Sequence, residues 1–194
     1  MISSRNANID IVLKLYQDTR TVFKLADIAL LTGENNPVSL AKKLNYYVIT
    51  GKILNPRKGI YTKPDYNIKE LASKLYTPSY ISLQYILQQV GVIFQYSESI
   101  TAISYLSREL EVDGQSIIYR KTKNSILYNW TGISQSEQGI FVASAERAFL
   151  DLCYLEPNFY FDNLNSLDKN LLIKLLSVYS SKALSDRVKR IFES

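Results

Sequence analysis

Histidine is absent from the 194 residues, and the only cysteine is Cys153. The lack of histidine excludes Ser-His and Cys-His nucleophile pairs as well as metal centres built on imidazole. A single cysteine excludes an internal disulfide and a zinc site with several thiolate ligands. No run approaches the roughly 18 apolar residues of a membrane-spanning helix, and residues 1–5 lead into a polar stretch, unlike a secretory signal. We therefore expect a cytoplasmic protein that needs no metal or cofactor and no membrane.

Positive charge is concentrated in the first third of the chain. Residues 1–64 hold 10 Lys and Arg against 4 Asp and Glu, a formal charge of +6, whereas residues 65–194 hold 13 against 14, a charge of −1. A basic module joined to a nearly neutral remainder is typical of a protein that contacts a polyanion such as nucleic acid. The alternative is an ordinary fluctuation of charge between short segments. The length allows one large domain or two small ones.

The first 64 residues have the pattern of three helices and a hairpin. Apolar residues at helical spacing predict helices over residues 7–16, 24–31 and 36–50, with a β-prone segment at 21–23. Asn36 and Pro37 are typical of a helix start, because asparagine can accept hydrogen bonds from free amides and proline has no N–H to leave unpaired. Two apolar runs around a Pro- and Gly-containing turn predict a β-hairpin over residues 53–61.

This order of elements is that of a winged helix-turn-helix, which predicts double-stranded DNA as a partner. The third helix would bury one stripe and present a polar, basic face to the major groove. The hairpin would bring two cations to phosphates or the minor groove. The residues predicted to contact DNA are Ser39, Lys42, Lys43, Tyr46, Arg57 and Lys58. The alternative is a winged helix that binds protein, with Lys42 and Lys43 on a merely solvated helix face.

Residues 65–194 are predicted to form a second domain of mixed helices and strands, which makes the chain an α+β protein. Pro64 marks the boundary because proline blocks continuation of the preceding strand. Helical spacing predicts helices over residues 67–76, 79–89, 144–155 and around 171–179. β-Branched and aromatic residues predict strands over residues 99–106, 109–112, 116–121 and 126–130. Asp113-Gly114 predicts a hairpin turn between two of them.

Three stretches of the chain carry motifs. They are Arg57-Lys58-Gly59-Ile60-Tyr61 in the hairpin, residues 66–72 followed by Tyr76-Thr77-Pro78-Ser79-Tyr80-Ile81-Ser82-Leu83, and Ser144-Ala145-Glu146-Arg147-Ala148-Phe149-Leu150-Asp151-Leu152. The second resembles a Pro-Ser-Tyr-(Ile/Val)-Ser-Leu signature and the third is similar to a Glu-Arg-Ala-Leu-Leu-Asp helix. Together, over about residues 20–155, they resemble the AbiEi-type antitoxin family of bacterial type IV toxin–antitoxin systems, which act in abortive infection against phage.

The resemblance implies a different function for each of the two predicted domains. A winged N-terminal domain, residues 1–64, would repress its own operon, in that family by binding inverted repeats in the promoter. An α/β antitoxin domain, residues 65–194, would counter a nucleotidyltransferase-like toxin, with or without direct contact. Arg147 and Asp151 are the candidate residues of that antitoxin surface; the alternative is a structural ion pair one helical turn apart. The family's histidine is replaced here, where Gln89-Val90-Gly91 ends the middle helix.

Two other functions are compatible with parts of the sequence. One is a winged-helix transcriptional regulator whose second domain senses a ligand or a protein and which has no toxin partner. The other is a Mg²⁺-dependent nucleotide enzyme built on Glu109, Glu111 and Asp113, which alternate along a predicted strand. We favour solvated acids on a half-buried strand over this metal site, because Leu110 and Val112 would face inward and no phosphate-binding loop accompanies the acids. We therefore predict a protein that is not an enzyme.

Overall fold

The computed structural model describes residues 11–193 and contains both helices and strands, as predicted. Within that range the chain has nine helices and two sheets, one of three strands and one of six. The chain divides into two compact units, Met1–Leu71 and Ala72–Ser194. The division falls a little after Pro64, where the sequence predicted the boundary, and inside a helix. None of the described helices has the length and hydropathy needed to cross a lipid bilayer.

The first unit alternates helices with the strands of a small antiparallel sheet. Its elements are α1 (Ile11–Gln17), β1 (Val22–Lys24), α2 (Leu25–Thr32), α3 (Pro37–Ile49), β2 (Leu54–Arg57) and β3 (Ile60–Thr62). Strand β3 lies between β1 and β2. Side chains from the helices, from β1 and from the α3–β2 connection form one core: Ile11, Leu15, Phe23, Ile28, Leu40, Leu44 and Ile53. The predicted start of α1, residues 7–10, lies outside the described residues.

Helix α3 begins and ends where its sequence predicts. The Asn36 side chain accepts hydrogen bonds from the backbone N–H groups of Val38 (3.0 Å) and Ser39 (3.1 Å), and Pro37 occupies the first turn. Such a cap is worth about 1 kcal/mol to the helix. The preceding helix ends at Gly33, whose φ of 73° is the left-handed conformation that glycine adopts without strain. The start of α3 is therefore set by local chemistry at its first turn.

The second unit is built on a six-stranded mixed sheet. Helix α4 (Ile68–Leu75) contains the boundary between the units. The elements that follow it in chain order are β4 (Ser79–Ile81), α5 (Gln84–Gln89), β5 (Ile100–Ser104), β6 (Arg108–Val112), β7 (Gln115–Lys121), α6 (Asn124–Leu127), β8 (Ile133–Gln135), β9 (Phe141–Ala143), α7 (Ala145–Leu155), α8 (Lys169–Leu176) and α9 (Lys182–Glu193). The strand order is β6-β7-β5-β4-β9-β8, with β5/β7 and β4/β9 parallel and the other pairs antiparallel.

Two predicted elements of the second unit have a different structure, and β8, β9 and α9 were not predicted. Residues 79–89, predicted as one helix, form strand β4 and then helix α5, because all three β4 residues are buried and β4 pairs with strands on both sides. Residues 126–130, predicted as a strand, begin in helix α6. Their carbonyl groups bond to a buried arginine described below instead of to a neighbouring strand. The Asp113-Gly114 turn joins β6 to β7 as predicted.

Candidate functional site

Helix α3 presents a polar face opposite its buried stripe. Leu40 and Leu44 are fully buried in the core of the first unit. The predicted DNA contacts on this helix lie at positions i, i+3, i+4 and i+7, which share one side of a helix: Ser39, Lys42, Lys43 and Tyr46. Ser39 is half-buried and the other three are exposed. The Tyr46 side chain, 60% exposed, is a large ring that the core of the unit does not use.

The two lysines of this face differ in their electrostatic surroundings. The Lys43 ammonium lies 2.6 Å from the Glu34 carboxylate, whose pKa is lowered chiefly by that hydrogen bond. Lys42 makes no ion pair with any residue between 11 and 193. Sequence reasoning missed Glu34 because it lies in the loop before α3 rather than on the helix. Lys42 therefore has the uncompensated positive charge of this face, and Lys43 must leave a carboxylate before it can contact a phosphate.

We expect that freeing Lys43 strengthens binding of the protein to DNA. The substitution Glu34→Gln removes the negative charge but keeps Oε1, which accepts from the Asn36 backbone N–H. If Lys43 then contacts a phosphate, the slope of log K against log salt becomes steeper by about 0.9. Fluorescence anisotropy titrations of a DNA duplex at several salt concentrations measure this slope. Glu109→Gln, an equal charge change in the second unit, is the control; an equal gain in both variants would contradict a specific role for Lys43.

The hairpin holds the second pair of predicted DNA contacts at its turn. The Asn55 side chain ties the turn together by donating to the carbonyls of Arg57 (2.8 Å) and Ile60 (2.6 Å). Gly59, with φ of 80°, lets the chain reverse between β2 and β3. Lys58 is exposed and Arg57 is half-buried, and neither forms an ion pair within the described range. Two adjacent, uncompensated cations are thus presented on a turn whose backbone is fixed by hydrogen bonds.

Arg147 and Asp151, the candidate pair of the second domain, are buried. Their side chains are 0% and 1% exposed, and Arg147 Nε lies 3.5 Å from Asp151 Oδ1. The guanidinium also donates to three backbone carbonyls in α6 and the segment after it: Ile126 (2.9 Å), Asn129 (3.3 Å) and Thr131 (3.0 Å). The prediction that the pair belongs to an exposed antitoxin surface is therefore wrong. Arg147 and Asp151 instead form a structural ion pair, and this pair is buried rather than exposed to solvent.

Hydroxyl groups complete the surroundings of Asp151. Its carboxylate accepts from Ser82 (2.8 Å), Tyr179 (2.7 Å) and Tyr80 (3.2 Å), and the Tyr80 hydroxyl in turn accepts from Arg147 (3.1 Å). Burial raises the pKa of Asp151, whereas the arginine and the hydroxyls act in the opposite direction. These contacts join residues of two motifs, 67 to 71 positions apart in the chain, so both motifs serve to build the core of the second unit. Tyr179, outside either motif, was not predicted by any sequence signal.

The three acidic residues of β6 and its turn do not form a metal site. Glu109, Glu111 and Asp113 are exposed, while Leu110 is half-buried and Val112 is buried, as expected for a strand with one solvated face. Within the described residues there is no group of three histidine, cysteine or acidic side chains that could hold a metal ion. The Mg²⁺ site considered from the sequence is therefore contradicted.

Cys153 lies in the core, where burial raises the pKa of its thiol to about 12.

Comparison with known proteins gives a likeness to solved structures but none to a family or a curated sequence. No protein-family model and no curated protein sequence matches the chain. The chain is similar to the crystal structure of the RV2827C protein from Mycobacterium tuberculosis, with a TM-score of 0.52 and 12% sequence identity. The match covers 94% of this chain and 75% of that one. At this level of identity the likeness is one of fold alone.

Proposed function

We propose that this protein is the antitoxin of a type IV toxin–antitoxin system: its first unit binds the promoter of its own operon, and its second unit counters a nucleotidyltransferase-like toxin. On this proposal it is a cytoplasmic DNA-binding repressor and not an enzyme. The observation that carries the DNA-binding part is the pairing, within one small unit, of an exposed polar face on α3 with two uncompensated cations on the next hairpin.

The order of elements in the first unit supports a winged helix-turn-helix. Helices α2 and α3 are joined by a short turn, and the hairpin β2–β3 follows α3 directly. Strand β1, which precedes α2, pairs with β3, so the hairpin is anchored to the helices through the sheet as well as through the core. In such modules the second helix of the pair enters the major groove and the hairpin reaches the neighbouring backbone. Ser39, Lys42 and Tyr46 would then face base edges, and Arg57 and Lys58 phosphates.

The antitoxin part rests on the resemblance of the motifs. Tyr80 and Ser82 from one motif meet Arg147 and Asp151 from another around a single buried network. This meeting supports the motifs as one inherited unit of fold, since residues so far apart in the chain have no local reason to occur together. Because the network is buried, a surface that opposes the toxin has to be sought among other residues of the second unit.

Binding to the protein's own promoter tests the DNA-binding part. We expect the full-length chain to bind a duplex from the region upstream of its gene more tightly than a scrambled duplex of equal length and composition. Lys42→Ala combined with Tyr46→Ala should reduce this preference by roughly 5- to 150-fold, the range for losing one good base contact. Lys189→Ala, an exposed lysine of the second unit, serves as the control. Equal affinity of the wild-type protein for both duplexes would contradict the proposal.

A ligand-sensing regulator without a toxin partner is the second candidate. The observation in its favour is a cleft in the second unit that is lined by both polar and apolar side chains. The two functions share the DNA-binding unit and differ in the neighbouring gene, which encodes a nucleotidyltransferase-like toxin only in the first case. Toxicity of that neighbour when it is expressed alone therefore separates them.

A further inference from the structure

A cleft of about 290 Å³, lined by polar, aromatic and aliphatic side chains, lies in the second unit. Its floor is one face of the sheet where β5 and β7 run parallel. Thr101 pairs with Ile118, and Ile103 with Arg120, so the side chains of these four residues point to the same face. The Thr101 hydroxyl accepts from the backbone N–H of Tyr85 at 2.9 Å, which fixes α5 at the edge of this floor. The cleft volume is near the lower limit of ligand pockets.

Two glutamines of α5 supply amide groups to the cleft. Gln84 is half-buried, and its side chain has no hydrogen-bond partner among residues 11–193. The Gln88 amide nitrogen donates to the backbone carbonyl of Gln95, which also lines the cleft. That bond holds the Gln88 amide in place and leaves its oxygen as an acceptor. A side-chain amide carries both donors and an acceptor, so it can pair with the edge of a ring that has both kinds of group.

Aromatic rings lie beside these amides. Phe159 lines the cleft, and its orientation is set by Phe161, whose ring centroid is 5.1 Å away. Tyr96, which also lines the cleft, is 82% exposed, and the exposed ring of Phe94 lies two residues before it in the chain. The Tyr96 hydroxyl donates to the Glu98 carboxylate at 3.2 Å, and the ring itself stays exposed. Rings next to amides fit a planar ligand with apolar faces and a hydrogen-bonding edge.

The charge of the cleft is balanced. Arg120 is the cation that lines it, and its guanidinium forms an ion pair with Glu156. A bare anion would have to displace that carboxylate, so the cleft is better suited to an uncharged polar ring than to a free phosphate. An arginine has five N–H donors, and the ion pair leaves several of them for hydroxyl or phosphate groups attached to such a ring.

We propose that this cleft binds the base of a nucleoside, with Phe159 stacked on the ring and the amides of Gln84 and Gln88 hydrogen-bonded to its edge. The base would come either from a free nucleotide or from a single-stranded RNA, in which bases are unstacked and accessible. The proposal goes beyond DNA binding and antitoxicity and does not depend on either, since every residue it uses lies between positions 84 and 159.

Isothermal titration calorimetry of the full chain with adenosine, guanosine, cytidine, uridine and their 5′-monophosphates tests the proposal. We expect saturable binding of at least one nucleoside and none of ribose 5-phosphate. Phe159→Leu keeps apolar volume but removes the ring and should weaken binding by about 5- to 150-fold, the range for loss of base–aromatic stacking. Gln84→Ala should weaken it by about 2- to 10-fold. Gln89→Ala, on the same helix but outside the cleft, should leave it unchanged.

A second titration series with single-stranded hexaribonucleotides distinguishes the two sources. Binding of mononucleosides assigns the cleft to a free nucleotide, whereas binding of hexanucleotides alone, still weakened by Phe159→Leu, assigns it to an RNA strand. Thermal unfolding of each variant checks that the fold is retained. Absence of binding by both series at millimolar concentration, or binding that Phe159→Leu and Gln84→Ala leave unchanged while Gln89→Ala also has no effect, would overturn the proposal.

Discussion

Replacing Arg147 by methionine is expected to lower the free energy of unfolding of the second unit by about 3–5 kcal/mol, the cost of breaking a buried ion pair by removing one partner. Asp151 would be left buried without its cation, and the carbonyls of Ile126, Asn129 and Thr131 would lose the guanidinium as a donor. A domain of this size has only about 5–15 kcal/mol to lose. We therefore expect the variant to be largely unfolded at moderate temperature.

Urea unfolding, followed by the fluorescence of the single tryptophan, measures the free energy of unfolding of the second unit, in which that tryptophan lies. Trp130 lies in the segment that Arg147 holds, and its ring packs against Phe141 at 4.6 Å between centroids. Arg190→Met, at an exposed position of α9, should change the free energy of unfolding by no more than about 0.5 kcal/mol. A loss below about 1 kcal/mol for Arg147→Met would show that the network is not a main source of stability.

The same variant should also respond to pH in a defined direction. Without the guanidinium, burial raises the pKa of Asp151 further, because the opposing positive charge is gone. A carboxyl whose pKa is higher in the folded than in the unfolded state destabilises the fold progressively as pH rises through the folded pKa. The deficit of Arg147→Met relative to wild type should therefore be smaller at pH 5 than at pH 8. A deficit that is the same at both values would mean that packing, rather than charge, explains the loss.

Replacing Arg57 and Lys58 together by alanine is expected to weaken DNA binding about 60-fold at 0.1 M salt. Each phosphate contact contributes about 0.9 to the slope of log K against log salt, so two lost contacts lower the slope by about 1.8. The loss should be similar for promoter and scrambled duplexes, because phosphates carry no sequence information. Neither residue forms an ion pair in the described part of the chain, so the substitution should leave the fold of the first unit intact.

Anisotropy titrations between 50 and 200 mM salt give both the affinity and the slope. The matched control is Lys189→Ala with Arg190→Ala, which removes the same net charge from exposed positions of α9. If the control variant loses as much affinity as the hairpin variant, net charge rather than local contact explains binding. Retention of the full slope by the hairpin variant would remove the hairpin from the DNA interface.

Local chemistry explains which parts of the fold were predictable. The cap at Asn36 and Pro37, the left-handed glycine after α2 and the Asp113-Gly114 turn act over three or four residues, so sequence alone predicts them. Strand β4 was missed because its spacing also fits a helix, and only pairing with β5 and β9, which are distant in the chain, decides between the two. Residues 126–130 were predicted as a strand for a related reason: Arg147, which donates to the carbonyls of Ile126 and Asn129, lies on α7.

In the candidate sites, too, features set by local sequence were predictable and features set by distant contacts were not. Exposure of Lys42, Tyr46 and Lys58 follows from helical spacing and from a turn, and the structure confirms it. Lys43 pairs with the Glu34 carboxylate, 9 residues away in the chain, and buried Arg147 contacts Tyr80, 67 residues away. Helical or strand periodicity does not encode such contacts. A charged pair one helical turn apart is exposed in most helices, so sequence gave no reason to expect this one in a core.

Growth of cells that express the neighbouring gene is the most direct test of the account. Full-length protein and the Arg57→Ala/Lys58→Ala variant are each co-expressed with that gene product, and colony formation is scored. We expect expression of the neighbouring gene alone to stop growth. Full-length protein and the Arg57→Ala/Lys58→Ala variant should both restore growth, because in the proposed function the hairpin binds DNA and the second unit opposes the toxin. A neighbour that is not toxic, or toxicity that full-length protein does not relieve, would contradict the assignment as an antitoxin.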